Sequence, residues 1–392
     1  MTVTETARDS VASALEQERV VSHLNPPPSY DLADHPVPTG REEVWRFTPL
    51  KRLRGLLDGE PSEASLALEQ ELPAGVELRT ISAAEARELE LPPNERPAAL
   101  AAELADGALL LDVPAEAELD APVVLRFRGG SVDDLVHARL VLRFGAHSRA
   151  TVVVSHTGSA RYNAITSVLV GDGAEVDVVS LQDWDDDAVH LGRDAVRVGR
   201  DAKVKHTSVS FGGDVVRMHA NVEYAGPGGE AELLGLYFAD AGQHLEHRLF
   251  ADHNAPRTKS NVVYKGALQG EGARTVWIGN VLIRKVAEGI ETYEENRNLV
   301  LTDGCQADSV PNLEIETGEI EGAGHASATA RFDDEQLFYL RSRGVSDEEA
   351  RRLVLHGFFQ DLIRKVGVPT LEEQLTATVE AELARNVSGG VR

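Results

Sequence analysis

From about Leu109 onward the apolar residues arrive in short bursts, ARLVLRF, TVVVSH, AITSVLV and EVDVVSL, rich in valine and only partly alternating with polar positions. Runs of this length and composition predict β-strands. A phrase recurs among them, an apolar residue and a glycine followed by small or polar residues and then a strand. It reads FGAHSRATVVV at Phe144, VGDGAEVDVV at Val170, VGRDAKVKHTSV at Val198 and AGPGGEAELLGL at Ala225. Its glycines, Gly145, Gly171, Gly199 and Gly226, stand 26, 28 and 27 residues apart. Such a period marks units that stack on their neighbours. No amphipathic stretch long enough for the helical crossovers of a doubly wound sheet intervenes, so the pattern predicts a β-helix. Short strands and glycine turns also describe a β-sandwich, and the residues alone leave both open.

The flanks follow a different period. Thr4–Glu18 is a weak helix candidate, broken by Pro26, Pro27 and Pro28. In EEVWRFTPLKRLRGLL, Trp45 is expected to anchor an arm against the core by burial, ahead of a short basic helix. Ser82 and Glu85 form a capping-box pattern for AAEARELE. Near the carboxyl end, Ser346 and Glu349 are placed to cap DEEARRLVLHGFFQDLIRKV, with Leu353, Phe358, Leu362 and Val366 as its apolar stripe and Gly357 as a point of close packing. Thr370 and Glu373 repeat the capping pattern before LEEQLTATVEAELARN, whose Leu371, Leu375, Val379 and Leu383 recur every fourth position. The division expected is a mostly helical region over 1–108, a β-helix core over 109–335 and a helical region over 336–392.

Composition narrows the function classes. A formal charge of −25 and a pI near 4.9 argue against nucleic-acid binding through phosphate contacts. Nothing approaches a membrane span or a leader pattern, so a soluble cytoplasmic protein is expected. A single cysteine, Cys305, excludes an internal disulfide framework and a thiolate-only metal site within one chain. There is neither a GxxxxGK[ST] phosphate loop nor a dinucleotide fingerprint before a helix, so direct ATP hydrolysis is not expected.

Candidate chemistry concentrates in PNLEIETGEIEGAGHASATARFDDEQLFYLRSRG, Pro311 to Gly344. His325 sits there among Gly324, Ala326, Ser327 and Ala328, a turn-like setting in which a neutral imidazole offers a lone pair to a metal. The run from Asp333 reads as a short helix or tight connector. His244, His247 and His253 fall within ten residues, but no helical period unites them into a zinc site. Asp185, Asp186 and Asp187 read as a solvated loop rather than a cation site. Asn296 and Asn298 fit either an interface or an asparagine ladder inside a coil.

The Pro311–Gly344 segment, together with DHNAPRTKSNVVYKG, resembles the core of the SufB/SufD family of iron-sulfur cluster assembly proteins, and within it the SufD branch. The resemblance implies a right-handed parallel β-helix with helical flanks, serving as a non-enzymatic scaffold that handles iron or a transient cluster with a SufB-like partner. It implies that His325 is the histidine on the SufD side of the assembly site. Where SufB-like proteins place a cysteine after the aromatic pair, this chain has Leu340, and where many relatives have a cysteine two positions before the histidine it has Ala323. The thiolate is then expected from the partner, with Cys305 structural or incidental. A SufC-like ATPase is expected on the C-terminal helices, and strand edges within Leu299–Leu313 are expected to pair with the partner or with a second copy. A β-helical carbohydrate-active enzyme and a purely structural adaptor are the alternatives.

Overall fold

The computed structural model describes residues 25–332 and 334–387; the helix candidate over Thr4–Glu18 lies outside them. After three single 3-10 turns come β1 (Ala67–Glu71), β2 (Glu77–Ile81), α1 (Ala83–Leu89), α2 (Arg96–Leu104) and β3 (Ala108–Val113). The solenoid then runs through β4 (Val123–Phe144), β5 (Arg149–Val170), β6 (Glu175–Trp184), β7 (Val189–Val198), β8 (Lys203–Phe211), β9 (Val215–Tyr224) and β10 (Glu230–Ala239). It continues through β11 (His244–His253), β12 (Lys259–Leu268), β13 (Arg274–Ile283), β14 (Glu291–Val300), β15 (Gln306–Ile315) and β16 (Gly322–Arg331). Three helices follow: α3 (Asp334–Ser342), α4 (Asp347–Val366) and α5 (Pro369–Val387).

The chain is mainly β, a parallel solenoid of two layers. One row runs β5–β7–β9–β11–β13–β15 and the other β5–β6–β8–β10–β12–β14–β16, because the two halves of β5 pair separately with β6 and β7. Every pairing along both rows is parallel, which rules out the antiparallel sandwich; among the described residues only β1 with β4 and β2 with β3 are antiparallel.

The recurring glycine phrase is the turn between the rows. Phe144, Val170, Val198 and Tyr224 are successive register partners, and the amide after each donates to the coil before it, Gly171 to Phe144 O and Gly199 to Val170 O, both at 2.9 Å. A Cβ on Gly171 or Gly199 would lie 2.7 Å from backbone nitrogen of the preceding turn, so stacking itself demands the missing side chain. The fourth phrase departs from the expected register: Ala225, not Gly226, stands at the stacked position, with its amide 2.8 Å from Val198 O. Gly226 comes one residue later, its own Cβ position 3.0 Å from the Arg200 side chain.

Strand alternation then gives the solenoid an inside and two outsides. Inward residues of both rows form one long apolar cluster from Leu111 to Val300. The outer face of the even row, with Val179, Val209, Leu234 and Leu236, is covered by α4 and α5 through Leu355, Phe359, Leu362, Leu371, Leu375, Val379 and Leu383. The outer face of the odd row is covered by the N-terminal arm, where buried Trp45, Leu53 and Leu56 pack on Val189, Leu191 and Val215. Trp45 is thus an anchor, and the expected basic helix beside it is a single 3-10 turn, Leu50–Arg52.

The flanking helices keep some of their expected signals and shift others. Ser82 and Glu85 form both halves of the capping box on α1, and Ser346 accepts from the Glu349 amide at 3.2 Å on α4. The buried stripe of α4 runs through Leu355, Phe359, Leu362 and Val366 instead of starting at Leu353, which is 47% exposed, because the helical period passes through Phe359 rather than Phe358. Gly357 faces solvent, with nothing within 4 Å of a Cβ there, so it packs against nothing. α5 begins at Pro369, whose fixed φ suits a first helical position, and this places Thr370 inside the helix rather than at its cap.

Candidate functional site

The solenoid is covered on its two faces but ends openly. Residues of β15 are half-buried except exposed Gln306 and Ile315, those of β16 are half-buried or exposed, and each strand pairs on one side only, β15 with β13 and β16 with β14. The free edges are therefore Gln306–Ile315 and Gly322–Arg331. The Leu299–Leu313 stretch is corrected accordingly, since Leu299 and Val300 belong to β14, which is paired on both sides.

His325 lies on β16 and not in a turn. The small residues around it are strand positions: Gly324, Ala326, Ser327 and Ala328 pair with Tyr293, Glu295, Asn296 and Arg297. His325 is the register partner of Glu294, so it occupies the position that in earlier coils points into the interior. Because no further coil covers it, the residue is exposed. Ala323, one side-chain repeat earlier, is the partner of Thr292, and half-buried Leu340 is on α3, on a different element from His325.

Beneath His325 the interior is polar. Thr292, Glu294, Asn296 and Asn298 alternate along β14 and are all buried. Asn298 donates to Asn296 Oδ1 and Asn296 to the Tyr237 hydroxyl, which itself donates to Asn298 Oδ1, each at 2.8 Å; the two asparagines face the interior, but no asparagine of a neighbouring coil stacks on either, so they form a local network and not a ladder. Glu294 is different. Both its carboxyl oxygens lack a hydrogen-bond partner, as does the indole nitrogen of buried Trp277 in the facing row. A Cβ on Gly279 would fall 2.6 Å from Glu294 Oε1, so only glycine leaves room for the carboxyl between the sheets. Burial pushes its pKa up to about 8, which keeps the group protonated at neutral pH. The signal for Glu294 was present in ETYEENRNLV, where alternate residues are Thr, Glu, Asn and Asn on one face, but a charged residue in a strand reads as outward by default.

The other candidates disperse. His244 points outward, 3.2 Å from Glu246; His247 points inward, stacked on Tyr237 and 3.0 Å from the Ser210 hydroxyl. His253 sits at the end of β11, bonded to Thr258 and Ser260 at 2.7 and 2.9 Å. Burial lowers the pKa of His247 to about 3 and of His253 to about 4. Asp185, Asp186 and Asp187 form an exposed loop tied by Ser159 to Asp187 and by Gln243 to Asp186. Cys305 is half-buried in the turn before β15, its sulfur 3.3 Å from Gly270 O. Glu288 and Glu291 are exposed, the latter paired with Lys259 at 3.2 Å. Among the described residues no three histidine, cysteine or acidic side chains converge as a metal cage. A metal reaching His325 would therefore take its remaining ligands from elsewhere.

Comparison with known proteins decides which solenoid this is. Residues 127–358 match the family described as SUF system FeS cluster assembly, SufBD core domain. The chain belongs to the SufBD core family. It is 50% identical over 363 residues, 91% of each chain, to an iron-sulfur cluster assembly SufBD family protein of Mycobacterium bovis. It is 48% identical to one of Mycobacterium leprae, over 91% of this chain and 93% of that one, and 25% identical to one of Staphylococcus haemolyticus, over 69% and 58%. The SufBD core is the scaffold component of iron-sulfur cluster assembly, which sets aside the carbohydrate-active alternative. No described helix is long and apolar enough to cross a membrane.

Proposed function

We propose that this chain is the SufD-type, non-ATPase scaffold subunit of a SUF complex, acting at the step where iron and sulfide meet, with three working parts at 1–108, 109–335 and 336–392. The open last coil of a SufBD-core solenoid carries this reading. Unpaired edges on β15 and β16 invite a matching solenoid end, and a closed pairing would cover them. A SufB-like chain is the functional partner, and a second copy takes its place in isolation. His325 then faces the shared space, contributing one imidazole to iron held as cargo, while the partner contributes the thiolate that Ala323 and Leu340 cannot.

The C-terminal helices dock the SufC-like ATPase in this reading. Their inner stripe is already used against the even row, so docking falls to the outward residues Phe338, Tyr339 and Leu353, which are 74%, 58% and 47% exposed.

The deciding experiment is anaerobic reconstitution with SufB-like and SufC-like partners, comparing wild type with His325→Ala and His325→Gln. Partner affinity is measured first, then bound iron and sulfide. Preserved assembly with iron retention reduced in both variants is expected. Normal cluster formation in both variants removes His325 from the mechanism and leaves a structural partner.

A further inference from the structure

Away from the open end, the Pro26–Pro28 run and the Leu91–Asn94 loop lie over the outer face of the odd row and enclose a cleft of about 440 Å³. That volume is within the range of small-molecule sites. Its apolar wall includes Leu91, Phe250 and Leu282. Its polar groups are incompletely used. Arg193 is 4% exposed, donates one terminal N–H to Leu91 O at 3.3 Å and leaves its Nε–H without a partner. The side-chain oxygens of Asn94 and Asn221, residues 2% and 8% exposed, also have no donor.

The charge balance singles out Arg193. Buried Arg139 is matched by Glu90, Arg217 by Glu95 and Glu246, and Arg248 by Glu246. In the cleft itself Arg197 is paired with Glu223 at 2.8 Å and Arg284 with Asp252 at 2.6 Å. Arg193 has no carboxylate in direct contact among the described residues: Glu95, Glu223 and Glu90 attract its charge from a distance, and each is already paired with Arg217, Arg197 or Arg139, which leaves a buried guanidinium short of a direct partner. We propose that this cleft binds a small organic anion, with a carboxylate or phosphate group on Arg193, N–H or O–H donors on the Asn94 and Asn221 oxygens, and an apolar body against Leu91 and Phe250. The site is on the odd row, the layer opposite the strand that carries His325, and does not depend on the assignment of His325.

Isothermal titration calorimetry of the full chain with inorganic phosphate and with N-acetylglycine tests it, the latter presenting a carboxylate and an amide N–H. Saturable binding of at least one probe is expected, and the tighter of the two identifies the head group. Asn221→Asp, which adds a negative charge beside Arg193, and Arg193→Gln are each expected to weaken that binding at least about tenfold. Asn221→Asp decides alone if Arg193→Gln fails to fold. Failure of both probes to saturate wild type, or unchanged affinity in either folded variant, overturns the proposal.

Discussion

The two outer faces of the solenoid are covered in opposite ways. On the even row, α4 and α5 lay leucine, phenylalanine and valine onto valine and leucine, with Phe359 fully buried at the centre. Beyond Trp45 and its leucines, the odd row meets its N-terminal cover through buried charge: Arg217 reaches Glu95 at 2.7 Å and Glu246 at 3.3 Å, and Thr48 donates to Glu246 at 2.8 Å. The Arg217 guanidinium also stacks on Trp45, 4.2 Å from the ring centroid. Apolar covering is tolerant in register, whereas a charge lattice fits one position only. The difference teaches that the N-terminal arm is fixed in place by pairing and the C-terminal helices are held by area.

Breaking each cover at its centre should cost similar stability for different reasons. Arg217→Ala removes the cation shared by two buried carboxylates, leaving Glu95 only His219, and is expected to destabilise by about 3–5 kcal/mol. Phe359→Ala leaves a cavity and is expected to cost about 3–5 kcal/mol. Urea unfolding monitored by circular dichroism measures both. Their pH dependence separates them. For Glu95 and Glu246 burial opposes the charge, but Arg217 and His219 around the first, and His244, Arg217 and Arg248 around the second, outweigh it and hold both pKa values well below the ordinary range. Carboxylates with depressed pKa stabilise fully above the unfolded value of about 4.3 and lose that contribution as pH falls below it. Hydrogen exchange should therefore show the Trp45 arm opening in acid before α4 does. Simultaneous opening would mean that the charge lattice does not set the arm's stability.

A smaller effect of opposite sign belongs to the interior. Glu294 titrates near 8 in the folded chain because burial disfavours its charge, whereas the unfolded group titrates near the ordinary carboxylate value of about 4.3. Folding then takes up a proton between these values, so stability falls as pH rises through that window and the full loss is reached above about 8. Glu294→Gln is expected to be near neutral at about pH 4 and to raise stability above pH 8 by about 2–4 kcal/mol, within the upper bound of about 5 kcal/mol that this window sets. Equal pH profiles for the two chains would show that Glu294 is not held protonated.

The solenoid was legible because its turns leave a mark that packing cannot replace. Gly171 and Gly199 have backbone where a side chain would go, so the period survives in the sequence, and it slipped by one residue only at Ala225, where the stacked position no longer carries a glycine. The site was legible only as a residue type. Small neighbours made His325 look like part of a turn, when Gly324 and Ala326 are strand positions of β16 paired with Tyr293 and Glu295. Arg217 and Glu246 were missed because period-2 patterning assigns polar residues to solvent and cannot register a cover, here Glu95 and Thr48, that arrives from more than a hundred residues away in the chain; Glu294 was missed because the same patterning turns a charged strand residue outward when it points between the two rows.

The smallest expected effect tests the two covers at their helix starts. Ser82 on the N-terminal side accepts from the Glu85 amide and has the reciprocal half of the box in place, its own amide donating to the Glu85 carboxylate at 2.9 Å. Ser346 on the C-terminal side accepts from the Glu349 amide at 3.2 Å, without a reciprocal bond in its cap. Ser→Ala removes the side-chain acceptor in both, a loss of about 0.5–2 kcal/mol for a typical cap. At Ser82 the change also leaves the Glu85 carboxylate without the hydroxyl it accepts from at 2.9 Å, so Ser82→Ala should be the more damaging of the two. Ser346→Ala should fall toward the low end, since α4 is held chiefly by the Leu355–Phe359–Leu362 stripe. Urea midpoints of the two variants, compared at equal denaturant slope, measure the order. A larger loss at Ser346 would mean that the C-terminal cover depends on local helix formation more than on buried area, reversing the contrast between the faces.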